Sequence, residues 1–510
     1  MNISPISETY FSRKISRGTF RGLLLGGLVA AGLVNAAEAE VAGRPNIVFI
    51  MADDFALEAI SSYGSWLKDY AKTPNIDRIA REGMLFRNVF CNNSICSPSR
   101  ASILTGQYSH KNGVRELNGQ INANSPLFPV ELKKAGYQTA LFGKWHLENT
   151  PEGFDDYLVL PGQGKYFDPD FVGVAGKRNL PGYATDIITD LSLEWLKKRD
   201  PAKPFCLLIH HKAPHGPFSY PERLAGLYEG VQIPEPFNLH EDVWAAGSLI
   251  KPKQYTFIHD ARGPKSISQT KLGSTPAGAV APEEGDEKAR RSQVYQAFIK
   301  SYIRCITAVD ENVGRVLEAL DREKLSENTL VVFTSDQGFW LGQHGFSDKR
   351  LILEESIKMP LLVRYPREIA AGATCQRLAA NVDFAPTFLD YAGAPVPKAM
   401  QGRSLRPLLQ GKTPADWRTS VFYAYWTREP FHWGIRTDRH TYIRVPDSEE
   451  VEIYDIVNDP HQMKNEAGNP AFAAIIKQSE TELAKAMQEV DIRPEELPKA
   501  KVGAASGSEQ

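Results

Sequence analysis

The sequence predicts an α/β fold: a large, mostly parallel β-sheet flanked by helices, with a small antiparallel α+β subdomain at its C-terminal end. Three observations carry this. Short, nearly continuous apolar runs recur at residues 46–51, 138–142, 205–209, 330–333 and 360–363, the signal of strands buried on both faces. Helical patterns lie between them, at 76–82, 185–198 and 294–322, and strands alternating with helices build parallel sheets. Beyond Thr413 the pattern changes to short strands at 421–425, 432–436, 441–445 and 452–454, followed by a helix at 471–489.

In chain order, Arg13, Lys14, Arg17 and Arg21 precede an apolar stretch at 23–34 that ends in Asn35-Ala36-Ala37-Glu38-Ala39. A basic start, a short apolar centre and a small-residue end describe a secretory signal peptide over residues 1–39, which places the mature protein in the periplasm or outside the cell. The apolar stretch is too short for a stable membrane span. Residues 44–412 form the catalytic domain, interrupted at 238–291 by a loop-rich insertion whose centre is dense in Gly, Pro, Ser and Ala. Residues 413–492 form the C-terminal subdomain, and 493–510 a disordered tail. A net charge of -2 excludes nucleic acid as a partner and requires any bound anion to be held by a local basic cluster. The cysteines are Cys91, Cys96, Cys206, Cys305 and Cys375; an odd count in an exported protein points to one thiol with another task.

Three apolar runs end in polar clusters: Asp53-Asp54, Lys144-Trp145-His146 and Ser335-Asp336-Gln337. Ligands of parallel sheets bind at the carboxyl ends of strands, and buried charges need partners or a metal. One shared site accounts for all three. Asp53, Asp54, Asp336 and Gln337 offer only oxygen, which suits a hard cation. Near them in sequence, Pro98 suits a first helical turn and Ser97 an N-cap. Cys96 then sits just before a helix N-terminus, where a thiolate has a lowered pKa, with Arg100 one turn along.

The segment Cys96-Ser-Pro-Ser-Arg-Ala-Ser-Ile-Leu-Thr-Gly106 resembles the signature of the type I sulfatases of the alkaline phosphatase superfamily. Arg44-Pro-Asn-Ile-Val-Phe-Ile-Met-Ala-Asp-Asp54, Thr73-Pro-Asn-Ile-Asp77, Gly143-Lys-Trp-His146, Lys212-Ala-Pro-His-Gly-Pro217, Thr334-Ser-Asp-Gln-Gly338, Asp348-Lys-Arg350, Gln401-Gly-Arg-Ser-Leu405 and Tyr454-Asp-Ile-Val-Asn-Asp-Pro460 resemble further motifs of that family, in order. The resemblance implies an alkaline phosphatase-like fold and conversion of Cys96 to formylglycine by a formylglycine-generating or anaerobic sulfatase-maturating enzyme. It also implies one Ca2+ held by Asp53, Asp54, Cys96, Asp336 and Gln337. Arg100, Lys144 and Lys349 would offset charge, His146 would act as base, and His215 or Lys349 would protonate the leaving group.

Leu160-Pro-Gly-Gln-Gly-Lys-Tyr166 and Leu341-Gly-Gln-His-Gly345 are similar to segments of bacterial N-acetylglucosamine-6-sulfatase-like members. That similarity implies a sulfated carbohydrate substrate of the glycosaminoglycan type; Gln163, His344 and Arg436, polar residues in loops that face the leaving group, and His211, a neighbour of the site, are the candidate sugar contacts. Two alternatives stand beside this reading: a phosphodiester or phosphonate monoester hydrolase of the same superfamily, and a non-catalytic binder of sulfated glycans. Retention of the cysteine, the arginine, both lysines, both histidines and every metal ligand argues against the binder.

Overall fold

The computed structural model describes residues 43–241, 287–427, 430–446 and 451–499. The expected signal peptide, most of the expected insertion and the end of the expected tail lie outside the described residues. The main sheet has ten strands: β1 (Asn46–Asp53), β2 (Met84–Phe86), β3 (Gln138–Lys144), β4 (Asp156–Leu160), β5 (Asp170–Gly173), β6 (Gly176–Asn179), β7 (Phe205–Pro214), β8 (Thr329–Ser335), β9 (Leu361–Arg364) and β10 (Ala373–Cys375). They lie in the order β10-β2-β9-β8-β1-β7-β3-β4-β5-β6. The central five, β8-β1-β7-β3-β4, are mutually parallel.

The apolar run at 360–363 forms β9, which is antiparallel to β8 and to β2. An apolar run buried on both faces carries no sign of its direction, so the sequence could not tell this strand from its parallel neighbours.

Both faces are covered. Every residue of β1 is buried, and the side chains alternate. Ile47, Phe49 and Met51 join one core with α2 (Cys96–Thr105), α3 (Phe128–Lys134) and α6 (Phe384–Tyr391). Val48, Ile50 and Ala52 join the other with α1 (Pro74–Arg81), α4 (Ala184–Lys198) and α5 (Glu287–Arg322). Helix α5 starts seven residues before the expected 294, inside the expected insertion. Its first turns are polar and exposed at Lys288 and Ala289, so they carry no apolar periodicity to read.

The C-terminal subdomain is a four-stranded antiparallel meander, β11 (Ser420–Tyr425), β12 (His432–Thr437), β13 (His440–Arg444) and β14 (Val451–Asp455), with α7 (Ala473–Glu489) packed on it. Its Val421, Tyr423, Ile435 and Leu483 share the core of Phe49. The expected tail is ordered at its start: Pro494–Glu496 forms a 3-10 turn, and Trp426 Nε1 donates to the Glu496 carbonyl at 3.0 Å. No helix among the described residues is long and apolar enough to cross a membrane.

Candidate active site

The carboxyl ends of four adjacent parallel strands meet at one place. Asp53 ends β1 and Asp54 follows it. Lys144 ends β3, His215 follows β7, and Asp336-Gln337 follows β8. Helix α2 points its N-terminus here with Cys96 as its first residue. The N-cap is Ile95, not Ser97, and no side chain caps this helix. The Ser97 hydroxyl donates instead to the His146 carbonyl at 2.7 Å, which ties the helix to the end of β3. Two further anchors fix the helix: the Ser99 hydroxyl donates to the Asp336 carbonyl, and the amides of Gln401 and Gly402 bind the Gly106 carbonyl at its far end, at 2.8 and 3.1 Å.

Backbone conformation is unusual around the cluster. Asp54 (φ 63°), His146 (φ 55°), Asp348 (φ 83°) and Arg350 (φ 108°) all occupy positive φ, a cost that non-glycine residues bear chiefly at functional sites. Gly143 is required for a different reason: a Cβ there would lie 1.9 Å from the His210 carbonyl oxygen, so only glycine lets β3 approach β7 this closely.

The charges interlock. Arg100 is 2% exposed; its Nε donates to Asp336 Oδ2 at 3.0 Å, its Nη1 to the Lys144 carbonyl at 2.8 Å, and its Nη2 lies 3.5 Å from Asp53 Oδ1. The Lys144 ammonium is paired with Asp53 and also donates to Gln163 Oε1 at 2.6 Å. Lys349 Nζ lies 2.6 and 2.7 Å from the two oxygens of Asp54. His215 Nε2 is 3.7 Å from Asp54 Oδ2. Its Nδ1 lies 2.8 Å from the Gly216 carbonyl; a carbonyl only accepts, so Nδ1 carries the proton and neutral His215 presents a lone pair at Nε2.

Burial, with Asp53 beside it, pushes Asp336 up to about 7 against the pull of Arg100. Burial likewise pushes Asp54 up to about 6 against the pull of Lys349. Asp53 goes the other way: against burial, Lys144 and Arg100 hold it well below the usual carboxylate range. Burial and then Lys144 lower His146 to about 2 and push His215 well below the ordinary imidazole value, so both rings are neutral. Against burial, Asp54 holds Lys349 well above the ordinary lysine value, so it is charged.

The expectation of a lowered thiol pKa at Cys96 is overturned. Burial and then the neighbouring Asp53 push it far up, and Cys96 Sγ lies 3.5 Å from Asp53 Oδ1. The helix N-terminus favours an anion, but a carboxylate in van der Waals reach opposes one. The encoded thiol is therefore not a thiolate nucleophile. All five cysteines are buried and free of disulfides.

One oxygen from each of Asp53, Asp54 and Asp336 lies within 4.8 Å of the other two, and Asp53, Cys96 and His215 form a second such trio. Gln337 Nε2 donates to Asp54, while its Oε1 is buried without a partner among the described residues. Three carboxylates and one spare amide oxygen, two of the carboxylates with raised pKa, are a donor set that fits a hard divalent cation.

Of the expected sugar contacts, only Gln163 joins this cluster, through Lys144. His211 is 0% exposed, with both ring nitrogens buried and without a partner among the described residues, and Asp186 of α4 is the charge that acts on it. Alternation along β7 turns His210 toward Phe49 and His211 to the opposite face of the sheet. His344 is buried against Glu241, Nδ1 to Oε2 2.7 Å. Arg436 is 3% exposed, ion-paired with Glu354 and stacked over the Phe90 ring at 4.9 Å. It lines a separate cavity of about 340 Å³ with Glu58, Glu355, Asp438 and His461. Of the three expected to contact sugar, His344 and Arg436 are thus engaged by Glu241 and Glu354, and His211 is sealed from solvent. Sequence reasoning in turn passed over Lys212 and Tyr166, although both lie in motifs it singled out. Tyr166 donates its hydroxyl to the His215 carbonyl, and Lys212 lies over its ring.

Comparison with known proteins places this arrangement. The sulfatase family profile matches residues 45–394, and the profile of the N-sulphoglucosamine sulphohydrolase C-terminal region matches 342–489. The chain is 41% identical to the N-acetylglucosamine-6-O-sulfatase of Bacteroides thetaiotaomicron, over 88% of this chain and 87% of that one. It is 30% identical to human N-acetylglucosamine-6-sulfatase, over 75% of this chain and 67% of the relative. It superposes with a TM-score of 0.78 on the solved structure of BT4656 in complex with its substrate D-glucosamine-2-N,6-O-disulfate, at 38% identity, covering 88% of this chain and 98% of that one. The strand-end cluster, the family domain that spans it and a relative aligned along nearly its whole length agree, and the chain belongs to the sulfatase family of the alkaline phosphatase superfamily, enzymes that hydrolyse sulfate esters.

Proposed function

We propose that the protein is an exported carbohydrate sulfatase that removes the 6-sulfate of N-acetylglucosamine units in glycosaminoglycan-type glycans, with formylglycine made from Cys96 and one Ca2+. The observation that carries the chemistry is the placement of Cys96 Sγ 3.5 Å from Asp53 Oδ1, inside the cluster of Asp53, Asp54 and Asp336. The sugar assignment is supported by the 41% identical N-acetylglucosamine-6-O-sulfatase. Export is supported by the basic and apolar pattern of residues 1–39.

Hydrated formylglycine at position 96 would supply the attacking oxygen, and Ca2+ held by Asp53, Asp54, Asp336, Gln337 and residue 96 would supply Lewis acidity toward the sulfate. A thiol kept protonated by burial and Asp53 explains why the encoded residue needs conversion, and hence a maturating enzyme as partner. Arg100, Lys144 and Lys349 present buried positive charge to the sulfate and the nucleophile, where low dielectric strengthens it. His146, neutral with Nδ1 unpartnered, is ready to accept a proton from residue 96. On the leaving side Lys349 carries a proton at rest, whereas His215 must first take one at Nε2. The two are separable by pH: a required His215 acid makes the rate fall as pH rises above its low imidazole value, whereas Lys349, charged through neutrality, gives no such fall.

The test is two measurements on protein co-expressed with a formylglycine-generating enzyme. The tryptic peptide containing residue 96 should weigh about 18 Da less than its cysteine form, whereas ordinary cysteine oxidation adds mass. The converted enzyme should release sulfate from N-acetylglucosamine-6-sulfate faster than from other sulfated positions, and faster than phosphate from the matched phosphate ester. Full conversion without release from the 6-sulfated sugar would discard the substrate assignment.

A further inference from the structure

Lys212 has no part in the chemistry derived above, yet it is buried at the same end of the sheet. It lies in β7 three residues before His215 and is 2% exposed. Its Nζ sits 5.0 Å from the centroid of the Tyr166 ring. No described residue gives it a hydrogen bond or a carboxylate within ion-pair distance; the neighbouring site lysines have both. The charges that act on it are those of the cluster itself: Lys144 first, then Asp53 and Asp54. Burial and then Lys144 draw its ammonium down to about 8, so at neutral pH it is mostly charged.

The other site cations are each matched. Arg100 meets Asp336, Lys144 meets Asp53, and Lys349 meets Asp54. Those pairings use all three carboxylates and leave Lys212 with a ring face alone. A cation–π contact offsets part of the cost of burying most of an ammonium, and a nearly buried cation with no carboxylate partner gains when an anion meets it. The loop that carries Tyr166 also holds Gln163, which accepts from Lys144, and Tyr166 itself binds the His215 carbonyl. One short segment thus holds Lys212, Lys144 and His215 in register.

We propose that Lys212 is a fourth cation of the ester-binding pocket, its ammonium contacting a sulfate oxygen on the Lys144 side. The proposal rests on the assignment of the pocket to residue 96 and its carboxylates, and it does not depend on the sugar.

Inorganic sulfate is the probe that separates the two. Cys96→Ala protein turns nothing over and is titrated with sodium sulfate by calorimetry, with and without Lys212→Met, which keeps the length of the stem along Tyr166. The Lys212→Met change should weaken sulfate binding by about tenfold or more, as loss of a charge-assisted contact does. In the converted enzyme it should lower kcat/KM for N-acetylglucosamine-6-sulfate by about 10²-fold, the scale for removing one donor aimed at developing charge. Lys212→Arg should recover most of both, because it keeps the charge. Sulfate affinity unchanged by Lys212→Met overturns the proposal, whether or not activity falls, and leaves Lys212 as packing for Tyr166. Absence of any sulfate binding by the Cys96→Ala parent overturns it too. Where Lys212→Met fails to fold, Lys212→Gln is read by the same titration. A wild type that binds sulfate yet ignores the 6-sulfated sugar strikes the substrate assignment alone.

Discussion

Two buried ion-pair clusters in this molecule have opposite electrostatics. At Glu354, Arg436 closes on the carboxylate, with Nη2 to Oε2 at 3.2 Å, and Lys358 adds a contact at 3.4 Å. Against burial, these two cations hold Glu354 down to about 2. At the strand ends, Asp54 and Asp336 are as deeply buried and also have cationic partners, yet they are pushed up to about 6 and 7. The difference is crowding. Glu354 stands among cations, whereas Asp53, Asp54 and Asp336 stand within 4.8 Å of one another. The first cluster is complete as it stands and serves stability. The second is held at a cost that only a bound cation removes, which marks it as a site.

The largest expected effect tests that contrast at its centre. Cys96→Ala should lower sulfate release by at least about 10⁴-fold, the scale for loss of a nucleophile, while thermal unfolding stays close to wild type. Loss of fold instead of activity would move residue 96 into the structural class of Glu354. Next comes Asp336→Asn, expected to cost about 10³-fold in rate through weaker cation holding and the loss of the Arg100 ion pair. Calorimetry should show the cation affinity falling with it, and an unchanged affinity would remove Asp336 from the ligand set.

Much of this was legible because the chain writes the site as contiguous motifs at strand ends. Asp53-Asp54, Gly143-Lys-Trp-His146 and Ser335-Asp336-Gln337 each announce a strand and its functional tip together. What failed to read was pairwise and three-dimensional. The sequence around Cys96 displays only its own helix, and the dominant neighbour of the thiol, Asp53, comes from a strand 43 residues away. His210 and His211 read alike in sequence, and the pleat sends them to opposite faces. Arg436 was polar and near the right motifs, but Glu354, 82 residues earlier, claims it.

Arg436→Met sharpens the comparison from the other side. It leaves Glu354 buried with Lys358 alone and should cost about 3–5 kcal/mol of stability, with kcat/KM nearly unchanged. A raised KM at wild-type stability would restore Arg436 as a sugar contact. A smaller effect follows from the raised carboxyls. Asp54 and Asp336 bind protons that the unfolded chain, with carboxyls near 3.8, has already released. The cation-free protein should therefore lose stability as pH rises from about 4 to 7. A cation must displace those protons, so its affinity should rise over the same window, by up to about tenfold per pH unit for each proton displaced, and level off above. An affinity independent of pH between those limits would mean that the carboxylates are not its ligands.

The smallest effect concerns His211, which carries the features of neither cluster: it is sealed from solvent, unpaired and, by burial, lowered to about 4. His211→Leu removes two unsatisfied polar atoms and should raise stability by about 1 kcal/mol at neutral pH, with kcat/KM unaltered. The gap should widen in acid. A histidine whose folded pKa lies below its unfolded 6.5 loses stability as pH falls from 6.5 through about 4, because the unfolded chain takes up the proton first, and leucine has no such loss. Denaturant titrations of both proteins at pH 7 and pH 5 measure this. A difference that stays constant, together with a raised KM, would make His211 a substrate contact.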